Sequence, residues 1–329
     1  MSKDLDSLKQ HAHDDSKGLI RRLTLGVSSQ FLVIISLIIR NIIVVPFFIS
    51  AHQVVGYADW IKLLSLAIIC LFVTFGQHFF YNYRIRTCRA ERDYVGLNRN
   101  LAEANSFFLS IYVVLSIILT LMLSVVDLAA LLNLEATGRT EAAWVFSLLL
   151  ASMVGQAYRD TLRGVYMAYG ELTRSEVIQA LAHVLLGLLV ILALLLKAPL
   201  FVIAVIYVLI VPGLVCTAAI LDFRRYQEVV VALSRELKWP SRARLRSVAS
   251  HTVPQFAERG LMSGPLVLLG LFGVGSDTVA QYNLARTANG LLRARPIAMV
   301  FSVELSRQRT QRDWIGFRRL YLRGALDRK

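Results

Sequence analysis

Arginines placed inside apolar segments are the residues of this sequence best suited to bind a charged ligand. The segment QYNLARTANGLLRAR (281–295) contains three of them. On a helix, four of its polar residues fall on one face, namely Tyr282, Arg286, Asn289 and Arg293. An arginine at the centre of a membrane helix costs roughly 2.5–3.5 kcal/mol. This polar stripe is therefore predicted to face protein or a water-filled cavity, with Leu284 and Ala288 on the packing face.

Two other apolar segments repeat the pattern. Gln255, Arg259 and Ser263 follow one another at four-residue steps, and Arg40 lies four residues after Ser36. A guanidinium stays charged and makes bidentate contacts with phosphate oxygens. We interpret the three segments as helices that surround a cationic cavity for an anionic ligand. The alternative is that the arginine side chains lie along lipid and reach an interface.

Residues that could support catalysis or bind a metal are not arranged to do so. The HAHDD stretch (11–15) lies in a polar tail that no apolar periodicity would hold in place. Ser263, beside two glycines, is better explained by helix packing than by nucleophilic chemistry, and His183 is predicted to be an interhelical hydrogen-bond partner. The sequence has no Walker or HExxH motif. Neither a catalytic residue, a metal site nor a cofactor is predicted.

Composition predicts an all-α integral membrane protein. The mean hydropathy is +0.57, and 56% of residues are hydrophobic. The net charge of +14 sits in short clusters between apolar runs, which does not indicate nucleic-acid binding. About eight membrane-spanning helices are predicted, at 23–49, 61–80, 107–126, 142–158, 177–196, 198–221, 252–274 and 278–305.

The positive charges predict the orientation of these spans. Nearly all Lys and Arg outside the spans fall on one side when alternate loops are assigned to opposite sides, and the other side keeps only Lys62, Arg139 and Lys197. Both termini are therefore predicted to be cytoplasmic. The predicted organisation is a cytoplasmic tail (1–22), a six-helix lobe (23–221), a basic linker that contacts anionic lipids (222–251), helices 7 and 8 (252–305) and a basic tail (306–329).

Several motifs resemble a known family in their order and spacing. VVPFFISAHQVVGYADWIKLLSLAI, with Pro46, Gly56 and Tyr57, resembles the end of its first helix, and FVTFGQHFF, with Gly76, its second helix. GVYMAYGELTRSEVIQALAHVLLGLLV is similar to its fourth-to-fifth helix turn. HTVPQFAERGLMSGPLVLLGLFGVGSDTVAQYNLARTANGLL resembles its helices 7 and 8. The family is the polysaccharide (O-antigen type) flippases of the multidrug/oligosaccharidyl-lipid/polysaccharide exporter superfamily.

The resemblance implies a transporter that flips a polyprenyl-pyrophosphate-linked oligosaccharide across a bacterial cytoplasmic (inner) membrane by alternating access. Helices 1, 2, 7 and 8 would line the cavity. Arg40, Arg259 and Arg286 would hold the pyrophosphate, Gln255 and Asn289 would assist them, and Tyr282 and Arg293 would complete the lining. Other polysaccharide-assembly membrane proteins are possible partners. Because the family usually has twelve or more helices in two lobes, we expect this chain to be truncated after helix 8.

Three alternatives stay open from the sequence. A drug or small-solute exporter of the same superfamily would more typically use intramembrane carboxylates, and Glu258 is the only one expected deep in a span. A membrane enzyme such as a polysaccharide polymerase would be expected to have a large outer loop. A truncated chain that does not transport by itself is the third alternative. The glycan, the coupling ion and the oligomeric state are not indicated.

Overall fold

The computed structural model describes residues 24–70, 77–230 and 260–292, together with positions 253, 257, 305, 314 and 318. All regular secondary structure in this part of the chain is helical. The predicted N-terminal tail, most of the basic linker (231–250) and most of the C-terminal tail lie outside the described residues.

The first helical segment spans Thr24–Cys70. A π-helical turn, Ile39–Ile43, widens it, and Gln53 interrupts it with a left-handed φ of 59°. We call the part before Gln53 α1 (24–52) and the part after it α2 (54–70). The sequence predicted a connection at 50–60. A break does lie there, at Gln53, but helical geometry continues on both sides of it, so the connection is shorter than predicted. His52 Nε2 donates to the carbonyl oxygen of Ala198 at 2.9 Å and fixes the turn.

Eight further helices follow α2 in the described residues. They are α3 (Gln77–Ala90), α4 (Tyr94–Val125), α5 (Leu128–Leu131), α6 (Arg139–Tyr169), α7 (Leu172–Leu195), α8 (Leu200–Arg225), α9 (Gly260–Leu271) and α10 (Ser276–Leu292). Asp127 caps α5 by accepting from the N–H groups of Ala129 and Ala130. Gly170, at φ 74°, ends α6 and leaves only one further residue before α7 begins.

A π-helical turn also interrupts α8, at Leu209–Leu214, where Pro212 lies inside the helix. Proline has no N–H to donate, so a local change of helical geometry is expected at this position. Gly155 of α6 packs here: a Cβ on it would lie 1.9 Å from Pro212 Cβ. The missing side chain is what lets α6 and α8 approach this closely.

The core lies where four helices of the first lobe (α1–α8) meet. Leu63 of α2, Leu149 of α6, Leu186 of α7 and Ile203 of α8 are fully buried in one apolar cluster. Each such side chain contributes about 1.5–3 kcal/mol when it leaves water. Leu266 of α9 and Val279 of α10 belong to the same cluster, so the α9–α10 pair packs directly on the first lobe.

The outside of α7 carries a leucine stripe suited to lipid. Five exposed leucines recur at helical spacing on it, namely Leu181, Leu185, Leu188, Leu192 and Leu195. An exposed apolar stripe of this length is unfavourable in water but not in a bilayer. Four helices in the described residues are long and apolar enough to cross a membrane: Thr24–Cys70, Tyr94–Ile117, Leu172–Leu195 and Leu200–Arg225. Helices overlap all eight predicted spans, but the count of about eight stays a prediction.

The helix connections gather at two ends of the molecule. At one end, His52 contacts Ala198, and Lys62 contacts Asn133 in the α4–α6 connection. We call this the predicted outer end, because the charge pattern assigns these connections to the outside. At the predicted cytoplasmic end, Tyr169 stacks on Tyr226 with ring centroids 4.1 Å apart. The orientation in the membrane stays a prediction.

Candidate functional site

Arg286 lies on α10 and points back toward α9. Its Nη1 donates to the carbonyl oxygen of Met262 at 2.9 Å and lies 3.5 Å from Ser263 Oγ, and its Nη2 donates to Asn283 Oδ1 at 2.8 Å. All three acceptors are uncharged oxygens on α9 or on the preceding turn of α10. The guanidinium is half-buried. These contacts offset part of the cost of its burial and fix the direction in which it points.

Asn283 connects Arg286 to the first lobe. Its Nδ2 donates to Tyr57 Oη on α2 at 2.8 Å, while its Oδ1 accepts from Arg286. The Asn283 side chain is buried, with 4% of its surface exposed. One amide therefore joins a side chain of α2 to the arginine of α10. Sequence reasoning missed Asn283, because it lies one residue away from the polar stripe on which Tyr282 was placed.

Two further residues of the polar stripe lie on the open side of α10. Tyr282 and Asn289 are exposed. The predicted packing face was wrong: Leu284 and Ala288 are exposed, whereas Val279 and Asn283 are buried against α2. Asn283 takes the packing position because its amide finds a partner in the Tyr57 hydroxyl. The predicted site residues Gln255, Arg259 and Arg293 lie outside the described residues, so their place in the site stays a prediction.

Arg40 lies in the π-helical turn of α1 and points at α7. Its Nη1 is 3.1 Å from His183 Nδ1, and its Nε donates to Asn41 Oδ1 at 3.0 Å. Because the guanidinium only donates, His183 Nδ1 must accept, and the ring proton sits on Nε2. Gln179 Nε2 lies 3.2 Å from that nitrogen. Since both nitrogens would then be donors, a hydrogen bond here requires the amide to be turned so that its oxygen accepts. The prediction of His183 as an interhelical hydrogen-bond partner is confirmed.

Arg40 and Arg286 belong to elements that touch. The π-helical turn of α1 and α2 both contact α10. Between the two arginines lies an aromatic group, in which the Phe48 ring packs against those of Tyr57 and Trp60, and Trp60 packs against Tyr207. The two guanidinium groups have different partners, on α7 for Arg40 and on α9 and α10 for Arg286. Both contact protein groups rather than extending along the outside of the helices.

The segment 159–176, which lies between two predicted spans and was assigned to a cytoplasmic connection, contains charged residues that lie within helices. Arg159 and Asp160 are paired at 2.6 Å, and Arg163 is paired with Glu176, of which only 2% is exposed. All four lie on α6 or α7. Glu176 is therefore a deeply buried carboxylate that the sequence reasoning missed. The signal was available: the apolar helical period continues through Leu162 and Val165, past the first charge.

Comparison with known proteins supports the fold. No protein-family model matches the chain, and no curated protein sequence matches it. The chain is similar to a solved structure of a multidrug resistance MATE family transporter of the MOP superfamily, in its outward-facing conformation. The TM-score is 0.53, with 16% sequence identity over 90% of this chain and 68% of that transporter. The chain thus shares its fold with that solved transporter over most of its length.

Proposed function

We propose that the chain belongs to a transporter that moves a polyprenyl-pyrophosphate-linked oligosaccharide across a bacterial cytoplasmic membrane. The observation that carries this proposal is the placement of Arg286. Within a transporter fold, its permanently charged guanidinium is held by Met262 and Asn283 at the place where α9 and α10 meet α2. A guanidinium held there can bind an anion through charge-assisted hydrogen bonds.

A pyrophosphate matches this arrangement chemically. Arginine binds two phosphate oxygens in parallel and keeps its charge at any physiological pH, so it holds a diphosphate better than lysine does. Arg40, whose partners Asn41 and His183 are neutral, adds a second positive group on an element that contacts α10. In this proposal Arg259, Gln255 and Arg293 line the same site, Tyr282 and Asn289 face the passing sugars, and the polyprenyl chain stays in lipid.

Alternating access would open the site first to one side of the membrane and then to the other. In transporters of this kind, one lobe rocks against the other around a fixed binding site. In the described residues, the α9–α10 pair packs on the first lobe through apolar contacts and through hydrogen bonds that include the Tyr57–Asn283 bond. We further propose that the basic linker binds anionic lipids and that other polysaccharide-assembly proteins deliver and receive the substrate.

A second candidate function is export of drugs or small solutes. It is favoured by the similarity to a multidrug resistance transporter. An exporter of cationic drugs would need a carboxylate free to bind its substrate. In the described residues of the first lobe, Asp160 is paired with Arg159 and Glu176 with Arg163. The neutral partners of Arg40, which are Asn41 and His183, favour the anionic substrate.

Export of surface polysaccharide in a flippase-deficient strain tests the proposal. Arg286→Ala should abolish export while the protein still inserts in the membrane, and Arg286→Lys should restore part of it, because the charge remains and the bidentate fork is lost. Arg99→Ala is the matched control, since Arg99 is 69% exposed and makes only an i,i+4 ion pair with Glu103. Normal export by Arg286→Ala at matched protein level would refute the assigned role. Drug resistance without export would favour the second candidate.

A further inference from the structure

The connection between α4 and α6 (126–138) is attached to the first lobe by a buried ion pair. Asp59 accepts from the backbone N–H groups of residues 135, 136 and 137 at 2.9–3.2 Å. Lys62 Nζ lies 3.9 Å from Asp59 Oδ1 and donates to the carbonyl oxygen of Asn133 at 2.8 Å. Both charged side chains are fully buried. Removing either partner would leave an uncompensated buried charge, so this connection moves with α2.

The same connection reaches across to the α9–α10 turn. Asn133 Nδ2 donates to the carbonyl oxygen of Gly270 at 2.9 Å and lies 3.4 Å from that of Leu271. Ser276 Oγ donates to Glu135 Oε1 at 2.8 Å. Asn133 has a φ of 46°, a left-handed conformation that asparagine tolerates better than most residues. Gly270 is close-packed: a Cβ on it would lie 3.3 Å from the Leu132 carbonyl oxygen.

A third polar contact between the same two units lies at Asn283. Its bond to Tyr57 is buried, and its other amide atom accepts from Arg286. Asn133, by contrast, is exposed, so water can replace its bonds to the turn. The contact between the 126–138 connection and the α9–α10 turn is therefore the weaker of the two. The buried Asp59–Lys62 pair attaches the same connection more firmly to α2.

We propose that these contacts form a latch at the predicted outer end, made by Asn133, Glu135 and Tyr57 on the first lobe and by Gly270, Ser276 and Asn283 on the α9–α10 pair. The latch holds the pair closed against α2. An anion that binds Arg286 draws the guanidinium away from Asn283 and weakens the latch, which couples ligand binding to opening. Only the coupling between anion binding at Arg286 and opening of the latch rests on the proposed function.

The opening of the latch can be measured by thiol labelling of the full chain in lipid nanodiscs. Val279→Cys places a thiol on the fully buried face of α10 against the first lobe, and Cys70 and Cys88 are replaced by alanine. The natural Cys216, buried in the first lobe, reports unfolding. Labelling at a buried position follows the population of open molecules. The rate of thiol labelling at position 279 should rise about two- to tenfold, the effect of one lost hydrogen bond, in each of three variants: Asn133→Ala, Ser276→Ala and Tyr57→Phe.

Asn98→Ala is the matched control. It removes bonds to the Glu228 carbonyl and the Val230 N–H at the predicted cytoplasmic end, and should leave the rate at position 279 unchanged. The latch is overturned if none of the three variants changes that rate, or if labelling of Cys216 rises in parallel. Inorganic pyrophosphate should raise the rate in the Val279→Cys protein and have no effect once Arg286→Ala is added. If the three variants raise the labelling rate but pyrophosphate does not, the latch stands and only its coupling to anion binding is overturned. Transport itself is tested separately.

Discussion

Arg40 Nη1 lies 3.1 Å from His183 Nδ1, which joins α1 to α7 across 143 residues of sequence. Both hydrogen-bond partners of Arg40 in the described part of the chain, His183 and Asn41, are uncharged. An arginine among neutral acceptors leaves a net positive charge at the site, whereas a carboxylate beside it would cancel that net charge. This relationship is one reason to expect an anionic ligand.

The first prediction concerns the acceptor that His183 supplies. His183→Ala should lower the free energy of unfolding by about 1–3 kcal/mol, because it leaves a buried guanidinium N–H without its acceptor. His183→Asn is the control, since an amide Oδ1 sits near the position of the ring Nδ1 and can accept the same bond. Thermal unfolding in detergent measures both variants. Equal destabilisation by alanine and asparagine would show that ring packing, rather than the hydrogen bond, is what matters.

The second prediction concerns Lys62, which is fully buried and paired with Asp59. Lys62→Met should destabilise the protein by about 3–5 kcal/mol, because Asp59 loses its buried counter-charge. Lys197→Met changes an exposed lysine at the same end and should stay within about 0.5 kcal/mol of the wild type. Adding Asp59→Asn to Lys62→Met should recover part of the loss. Chemical denaturation of the four proteins tests this, and a small effect of Lys62→Met would contradict it.

Lys62 also shows where sequence reasoning reached its limit. Hydropathy predicted where most helices would occur, because apolar segments of that length form helices whose apolar faces pack or meet lipid. It placed Lys62 at the outer end of the predicted span 61–80, since a charge beside an apolar run usually marks a boundary. The charge is instead neutralised by Asp59 and by the Asn133 carbonyl, which comes from a distant part of the chain. Periodicity indicates which face of a helix is polar, but not which partner will meet it.

Asn283 illustrates the same limit within the site. The stripe of Tyr282, Arg286 and Asn289 was visible from spacing alone, and Arg286 does lie at a contact between helices. Asn283 orients Arg286, and Asn283 is itself held by a hydrogen bond to Tyr57, which lies 226 positions earlier in the sequence. A contact of that sequence separation depends on how helices pack, which a single sequence does not specify.

The third prediction concerns the close approach of α6 and α8. Gly155→Ala should cost about 1–3 kcal/mol, because its Cβ would overlap Pro212 and force the helices apart. Gly138→Ala is the control: it precedes α6, has an extended conformation, and has no heavy atom within 4 Å of the new Cβ. Unfolding temperatures in detergent report both changes. Equal values for the two variants would show that the α6–α8 contact adjusts without cost.

The fourth prediction concerns orientation in the membrane. Cysteines that replace the exposed residues Ala136, Lys197 and Gly275 should react with an impermeant thiol reagent from outside the cell. Cysteines that replace Arg92, Gly170 and Arg225, which are exposed at the other end, should react only after the membrane is opened. Reaction in the reverse order would contradict the predicted topology without affecting the fold.

The most direct test of the central claim is flipping of a polyprenyl-pyrophosphate-linked oligosaccharide in proteoliposomes. It should be measured for the wild-type protein and for its Arg286→Ala, Arg286→Lys and Arg99→Ala variants. The account predicts normal flipping by the wild type and Arg99→Ala, partial flipping by Arg286→Lys and none by Arg286→Ala. Equal flipping by Arg286→Ala and the wild type, at matched protein level, would contradict the claim that Arg286 binds the pyrophosphate during transport.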